Sequence, residues 1–163
     1  MKTLLIVYHT STGGSLQMAK AAAIGCALEP DVAVRVTTAA ATGPTELLEA
    51  SGYLFACPEN LAAISGLMKD FFDRSYYPVL DQLQGRPYAT LICAGSDGSN
   101  AARQIERIAT GWRLKAIAAP LIVCTHAQTP EDILKPKIIN ADQLARCQEL
   151  GATLAAGLAL GIY

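Results

Sequence analysis

The sequence predicts an α/β fold built on a parallel sheet with helices on both faces, and three observations carry that reading. Short apolar runs alternate with amphipathic helical patterns along the whole chain, the order that produces βαβ units. Thr3–Tyr8 and Gly52–Cys57 are continuous apolar runs, as strands buried on both faces must be. Hydrophobic residues make up 52% of the 163 and charged residues only 17%, which suits a sheet covered on both sides. The length fits a single domain over residues 1–163.

Each element follows in turn. After the first strand, Thr3–Tyr8, an Ala-rich helix is expected over Ser15–Leu28, ended by Glu29-Pro30-Asp31. Val32–Thr37 alternates apolar and polar residues, the mark of an outer strand, and Gly43-Pro44 opens a short helix reaching Ala50. Gly52–Cys57 is a central strand stopped by Pro58. Leu67, Met68, Phe71, Phe72 and Val79 mark the inner face of the next helix, with Lys69/Asp73 and Asp70/Arg74 paired four residues apart on its outer face. Pro87–Ala94 is the fourth strand, and Ile105, Ile108 and Trp112 give the inner stripe of the helix after it. Ile117–Cys124 is the fifth strand, and Thr129-Pro130-Glu131-Asp132 predicts a capped single turn. Asn140 with Gln143 opens a last helix whose inner stripe is Leu144, Cys147, Leu154 and Leu158.

Right-handed crossovers leave the order 2-1-3-4-5 as the natural one for a doubly wound, five-stranded parallel sheet. Ligands of such sheets sit outside the carboxyl ends of the strands, so function belongs to three loops: Thr10–Ser15, Pro58–Gly66 and Gly95–Asn100.

Composition narrows the classes. A net charge of -1 and no basic stripe exclude nucleic acid as a partner. Cys26, Cys57, Cys93, Cys124 and Cys147 show no CxxC spacing and no cluster with His9 or His126, so reduced thiols and no metal site are expected. The apolar start, Leu4–Val7, imitates an export signal, but it breaks at His9–Gly14, and Lys20 sits where such a signal is uncharged. Ala152–Tyr163 is too short to span a bilayer. The expectation is a cytoplasmic protein without membrane insertion.

The first loop, Thr10-Ser11-Thr12-Gly13-Gly14-Ser15, gathers four hydroxyls and two glycines at a helix N-terminus, where unpaired N–H groups and the helix dipole favour an anion. It contains no Lys or Arg, so it would hold a permanently bound phosphate monoester by hydrogen bonds alone. No Walker loop and no GxGxxG fingerprint is present. Cys57-Pro58 and Cys124-Thr125 stand where a phospho-receiver domain needs an Asp and a Lys.

Thr10–Ser15 resembles the FMN phosphate loop of flavodoxins, written T/S-x-T-G-x-T/S. The segment from Pro58 to Arg74, with its proline-started loop, Ser65-Gly66 and the closing Phe71-Phe72-Asp73-Arg74, is similar to flavodoxin-like NAD(P)H-dependent FMN and quinone reductases. The resemblance implies a flavodoxin-like fold with bound FMN, NAD(P)H as hydride donor, and a quinone, a flavin or a redox partner protein as acceptor. Thr10, Ser11, Thr12, Gly13, Gly14 and Ser15 would hold the phosphate. Asn60, Leu61 and Ala62, in the loop begun by Pro58 and Glu59, would lie against the isoalloxazine edge. Gly95, Ser96, Asp97, Gly98 and Ser99, supported by Asn100, would offer N–H groups to its pyrimidine end. Glu59 reads as a solvated loop residue, His126 as a surface or capping residue, and Tyr76 and Tyr77 as cover for a helix edge. His9, just before the phosphate loop, could reach the phosphate or a partner, and no side chain is assigned as a catalytic acid or base.

Carrier flavodoxins sandwich the flavin between aromatic residues and are strongly acidic, whereas neither Pro58–Gly66 nor Gly95–Asn100 holds an aromatic and this chain is nearly neutral. The departure favours a reductase over a flavodoxin-type electron carrier without its own substrate. Reductases of this kind often complete the nicotinamide pocket with a neighbouring subunit, so the resemblance admits a homodimer.

Overall fold

In the computed structural model, which describes residues 1–163, strands and helices alternate along the chain. The strands are β1 (Lys2–Tyr8), β2 (Val32–Thr38), β3 (Gly52–Asn60), β4 (Ala63–Ile64), β5 (Pro87–Ala94), β6 (Lys115–Ala116) and β7 (Leu121–Cys124). The helices are α1 (Gly14–Cys26), α2 (Pro44–Glu49), α3 (Gly66–Tyr76), α4 (Ser99–Gly111), α5 (Pro130–Leu134) and α6 (Ala141–Leu160). β1 pairs in parallel with β2 and β3, β3 with β5, and β5 with both β6 and β7. The order is β2-β1-β3-β5-β6/β7; with the short β4 set aside as a hairpin arm on β3 and β6 and β7 counted as one interrupted strand, this is the expected 2-1-3-4-5 order of a flavodoxin-like sheet.

Local signals placed several helix ends. Asn140 Oδ1 accepts the Gln143 N–H at 2.9 Å at the start of α6, and Thr129 Oγ1 accepts the Asp132 N–H at 3.1 Å at the start of α5. Lys69–Asp73 and Asp70–Arg74 pair along α3 as the spacing required.

Four expectations need correction. The fifth strand is not continuous over Ile117–Cys124: pairing with β5 jumps from Tyr88↔Ala116 to Leu91↔Leu121, so the outer chain carries surplus residues around Pro120. An edge strand tolerates this, because proline there removes no bond from a central ladder. Pro58 does not end β3. It keeps register with Cys93 on β5, and the strand then turns into an antiparallel hairpin, Glu59↔Ile64 and Asn60↔Ala63. Leu67 is half exposed, in the first turn of α3, and Val79 packs in the core from beyond that helix's end. Finally, the first helix is α1, Gly14–Cys26, so it begins inside the first loop and ends before Leu28.

The sheet separates two cores. On one face Leu47, Met68, Phe71, Phe72, Ile105 and Trp112 bring α2, α3 and α4 onto Leu5, Val7 and Phe55. Each fully buried large side chain there contributes about 1.5–3 kcal/mol. On the other face Met18, Ala22, Cys147, Leu154 and Leu158 bring α1 and α6 onto Leu4, Ile6 and Leu91. Those two helices meet backbone to backbone: a Cβ on Gly25 would lie 1.9 Å from the Gln148 carbonyl oxygen, and one on Gly151 would lie 2.1 Å from that of Ala22. No helix is long and apolar enough to cross a membrane.

Candidate functional site

β1 delivers the first loop to the carboxyl edge of the sheet, where the His9 N–H bonds the Ala56 carbonyl at 3.0 Å. Gly13 caps α1 with φ 95°, a left-handed conformation that glycine adopts without penalty. Gly14 lies so close to β5 that a Cβ would stand 2.5 Å from Cys93 Sγ. Thr10 Oγ1 accepts the Gly13 N–H at 3.0 Å and so braces the loop from within. The N–H groups of Ser11, Thr12, Gly14, Ser15 and Leu16 have no partner in the chain. The Ser15 hydroxyl is buried and also unpartnered. A buried orphan hydroxyl costs about 1–3 kcal/mol, a burden that an anion at this helix end relieves.

The second loop is the β3–β4 hairpin. Its two central residues, Leu61 and Ala62, have φ of 50° and 60°, the left-handed pair that a two-residue hairpin turn requires. Glu59 is not simply solvated, as its sequence context suggested: Oε1 accepts the Gly98 N–H at 2.9 Å and Oε2 the Ala101 N–H at 3.0 Å. A carboxylate thus caps α4, where it complements the helix dipole. Asn100 Nδ2 donates to the Ala62 carbonyl, Gln104 Oε1 accepts the Ile64 N–H at 2.8 Å, and Asn60 Nδ2 lies 3.4 Å from Ser11 Oγ. In the third loop the N–H groups of Gly95, Ser96 and Asp97 are unpaired within the chain, while the Asp97 carboxylate accepts the Ser99 hydroxyl at 2.8 Å.

These loops surround a cleft of about 530 Å³. Ser11 and Thr12 line it from the first loop, Pro58, Glu59, Asn60, Leu61 and Ala62 from the second, and Gly95 and Ser96 from the third. Thr10, Gly13, Gly14 and Ser15, at or just before the start of α1, and Asp97, Gly98 and Ser99, at or just before the start of α4, do not themselves line it.

A fourth wall had escaped the sequence reasoning. Thr125, Ala127 and Gln128, then Ile133, Leu134 and Lys137, close the cleft from the β7–α6 connection. The Thr125 and His126 N–H groups bond the Ala94 and Gly95 carbonyls at 2.8 Å each, tying this segment to the third loop. The signal was available, since the carboxyl end of the fifth strand opens on the same edge as the other three. The cleft is therefore not free of cations: Lys137 lines it, although residues 10–15 themselves carry none.

The remaining candidates lie elsewhere. His9 Nδ1 sits 2.7 Å from Ser65 Oγ, and burial pushes its imidazole below the usual range. His126 is exposed, in a neighbouring groove. Tyr76 stacks on Trp112 with centroids 5.7 Å apart, and neither it nor Tyr77 lines the cleft. Burial pushes the Cys57 thiol up to about 12, so it supplies no thiolate.

No curated protein matches the chain in sequence. Among solved structures, a WrbA-like flavodoxin from Agrobacterium tumefaciens superimposes with a TM-score of 0.77 at 16% identity, covering 98% of this chain and 99% of its own. A flavodoxin from the domain Archaea gives 0.75 at 21% identity, covering 96% and 98%. The rubredoxin oxygen:oxidoreductase of Desulfovibrio gigas gives 0.80 at 13% identity, with 99% of this chain matching 37% of that one. At these identities the likeness shows a flavodoxin-like fold. The family of NADPH-dependent FMN reductases matches residues 26–129, which take in the second and third loops and the start of the fourth wall and leave out Thr10–Ser15. That match spans well over half of the sequence, and the chain belongs to the NADPH-dependent FMN reductase family of flavodoxin-like oxidoreductases.

Proposed function

We propose that this chain binds FMN in the cleft at Thr10–Ser15 and works as an NAD(P)H-dependent reductase of a quinone or flavin acceptor. The observation that carries the reading is the first loop with the first turn of α1, where five N–H groups and the buried Ser15 hydroxyl have no partner. A phosphate monoester supplies the acceptor oxygens that these donors lack.

The donor set fits the rest of the cofactor as well. Gly95 and Ser96 line the cleft, and their N–H groups, with that of Asp97, are free to serve the polar edge of the ring, where such donors favour negative charge. Leu61 and Ala62 from the hairpin and Ile133 and Leu134 from α5 offer apolar contact surface for the ring. The side chains of Pro58–Gly66 and Gly95–Asn100 include no aromatic, which leaves a flavin face open to a nicotinamide or an acceptor. When bound, FMN would supply the redox chemistry itself, taking hydride equivalents from the donor and passing electrons on. The protein's part is to hold and orient, and no residue of the cleft is needed as an acid or base.

The test is direct. Apoprotein titrated with FMN should quench flavin fluorescence, and the holoprotein should oxidise NADPH or NADH in the presence of a quinone or free flavin. Quenching without turnover on any acceptor would leave a flavodoxin-type electron carrier, and no quenching would remove the FMN site.

A further inference from the structure

The cleft holds one cationic side chain, Lys137, and one anionic side chain, Glu59. Glu59 is committed to the N–H groups of Gly98 and Ala101. Lys137 makes no direct ion pair: the Asp132 carboxylate, which also feels its charge, is bonded to Lys135 at 2.6 Å. Its ammonium donates to the Ile133 and Lys135 carbonyls at 2.7 Å each, which leaves one of its three protons free.

The backbone around this lysine is fastened to the phosphate loop. The Lys137 N–H donates to the Thr12 carbonyl at 2.8 Å. Gln17, one turn into α1, donates from Nε2 to the Lys137 carbonyl at 2.7 Å and accepts the Ile139 N–H on Oε1 at 3.0 Å. The charge reaches the loop's floor: burial pushes the Cys93 thiol upward, and the positive field of Lys137 opposes that push. Cys93 is the side chain that presses on Gly14. The Lys137 backbone is thus bonded to the loop whose donors are bare, and Lys137 lines the same cleft as Ser11 and Thr12.

We propose that Lys137, from the β7–α6 connection, is the counter-charge for the FMN phosphate dianion. This rests on the FMN reading above and adds the residue that discriminates FMN from uncharged riboflavin. Hydrogen bonds from residues 10–15 orient the phosphate oxygens, while Lys137 supplies the charge those residues lack. Two carbonyls hold the ammonium in place, so ordering it on binding costs little side-chain entropy.

The test compares wild type, Lys137→Gln and Lys137→Arg for binding FMN and riboflavin, read by flavin fluorescence. Removing the charge should weaken FMN about tenfold, the size of one charge-assisted contact, and leave riboflavin unchanged. Raising ionic strength from about 0.01 M to about 1 M shortens the screening length from about 30 Å to about 3 Å. FMN affinity of the wild type and of Lys137→Arg should fall over that range more than affinity of Lys137→Gln. Equal FMN affinity in Lys137→Gln, or parallel loss of FMN and riboflavin, would overturn the assignment, the second result showing a purely structural loop residue. Failure of the wild type to bind FMN at all would instead remove the parent reading. Thermal melting of the apoproteins identifies any variant that does not fold, and Lys137→Arg then carries the test alone: FMN binding independent of ionic strength would overturn the assignment.

Discussion

The Glu59 carboxylate and the Gly98 N–H are joined at 2.9 Å, a bond that ties the hairpin after β3 to the start of α4. Two loops that shape the cleft are thereby set against each other by one side chain. Glu59→Ala should cost the apoprotein about 1–2 kcal/mol, as loss of a helix cap does. It should weaken FMN binding too, because the hairpin loses its anchor. Glu59→Gln keeps one acceptor and should fall between. Urea midpoints and FMN titration of the three proteins check the order.

Ser15→Ala should separate stability from binding. The hydroxyl is buried without a partner, so its removal should leave apoprotein stability unchanged or raise it by up to about 1 kcal/mol. The same change should weaken FMN by about 1–2 kcal/mol, roughly five- to thirtyfold. A variant destabilised as apoprotein and unaltered in FMN affinity would contradict the role given to this side chain.

Gly14→Ala drives a methyl group to 2.5 Å from Cys93 Sγ. The overpacking should cost about 1–3 kcal/mol. Cys93→Ala makes room, so the double variant should be more stable than the two single losses sum to. A double-mutant cycle by chemical denaturation measures the coupling, and strict additivity would mean that the two residues do not press on each other.

The thiols give a prediction in pH. Burial pushes Cys26 and Cys57 up to about 12 and Cys147 up to about 11, and raises Cys93 as well. In the native protein a thiol reagent should reach partly exposed Cys124 first, and all five only after unfolding. Above pH 9.0, the ordinary value, unfolded thiols ionise while the folded ones keep their protons. The folded state then binds more protons, so stability should fall as pH rises from about 9 toward 12. Denaturation midpoints of the wild type and of Cys57→Ala across that range test the sign, the variant showing the shallower decline.

What could be read in the residue order was local. Thr10–Ser15 announced itself because its hydroxyls, its glycines and its position between an apolar run and a helix are all contiguous. Thr129 with Asp132 and Asn140 with Gln143 were visible for the same reason, each cap closing over three positions. What stayed hidden was long-range. Glu59 finds its donors about forty residues on, at Gly98 and Ala101, and nothing in its own neighbourhood marks it as a cap. Lys137 meets Thr12 across most of the chain, so a loop that looks cation-free acquires a cation only in three dimensions. The break between β6 and β7 escaped notice because an edge, paired on one side, accepts surplus residues that a central strand rejects.

The close approach of Gly25 to Gln148 and of Gly151 to Ala22 leaves α1 and α6 no slack to slide. Thr12 and Lys137, bonded to each other just before those two helices begin, belong to the same packed unit. The hairpin and α4, riveted through Glu59, form a second block on the opposite side of the sheet. The cleft straddles the seam between them, so a cofactor seated there acts as a staple. Substitutions that pry α1 from α6, far from any flavin contact, should consequently register as weaker cofactor retention.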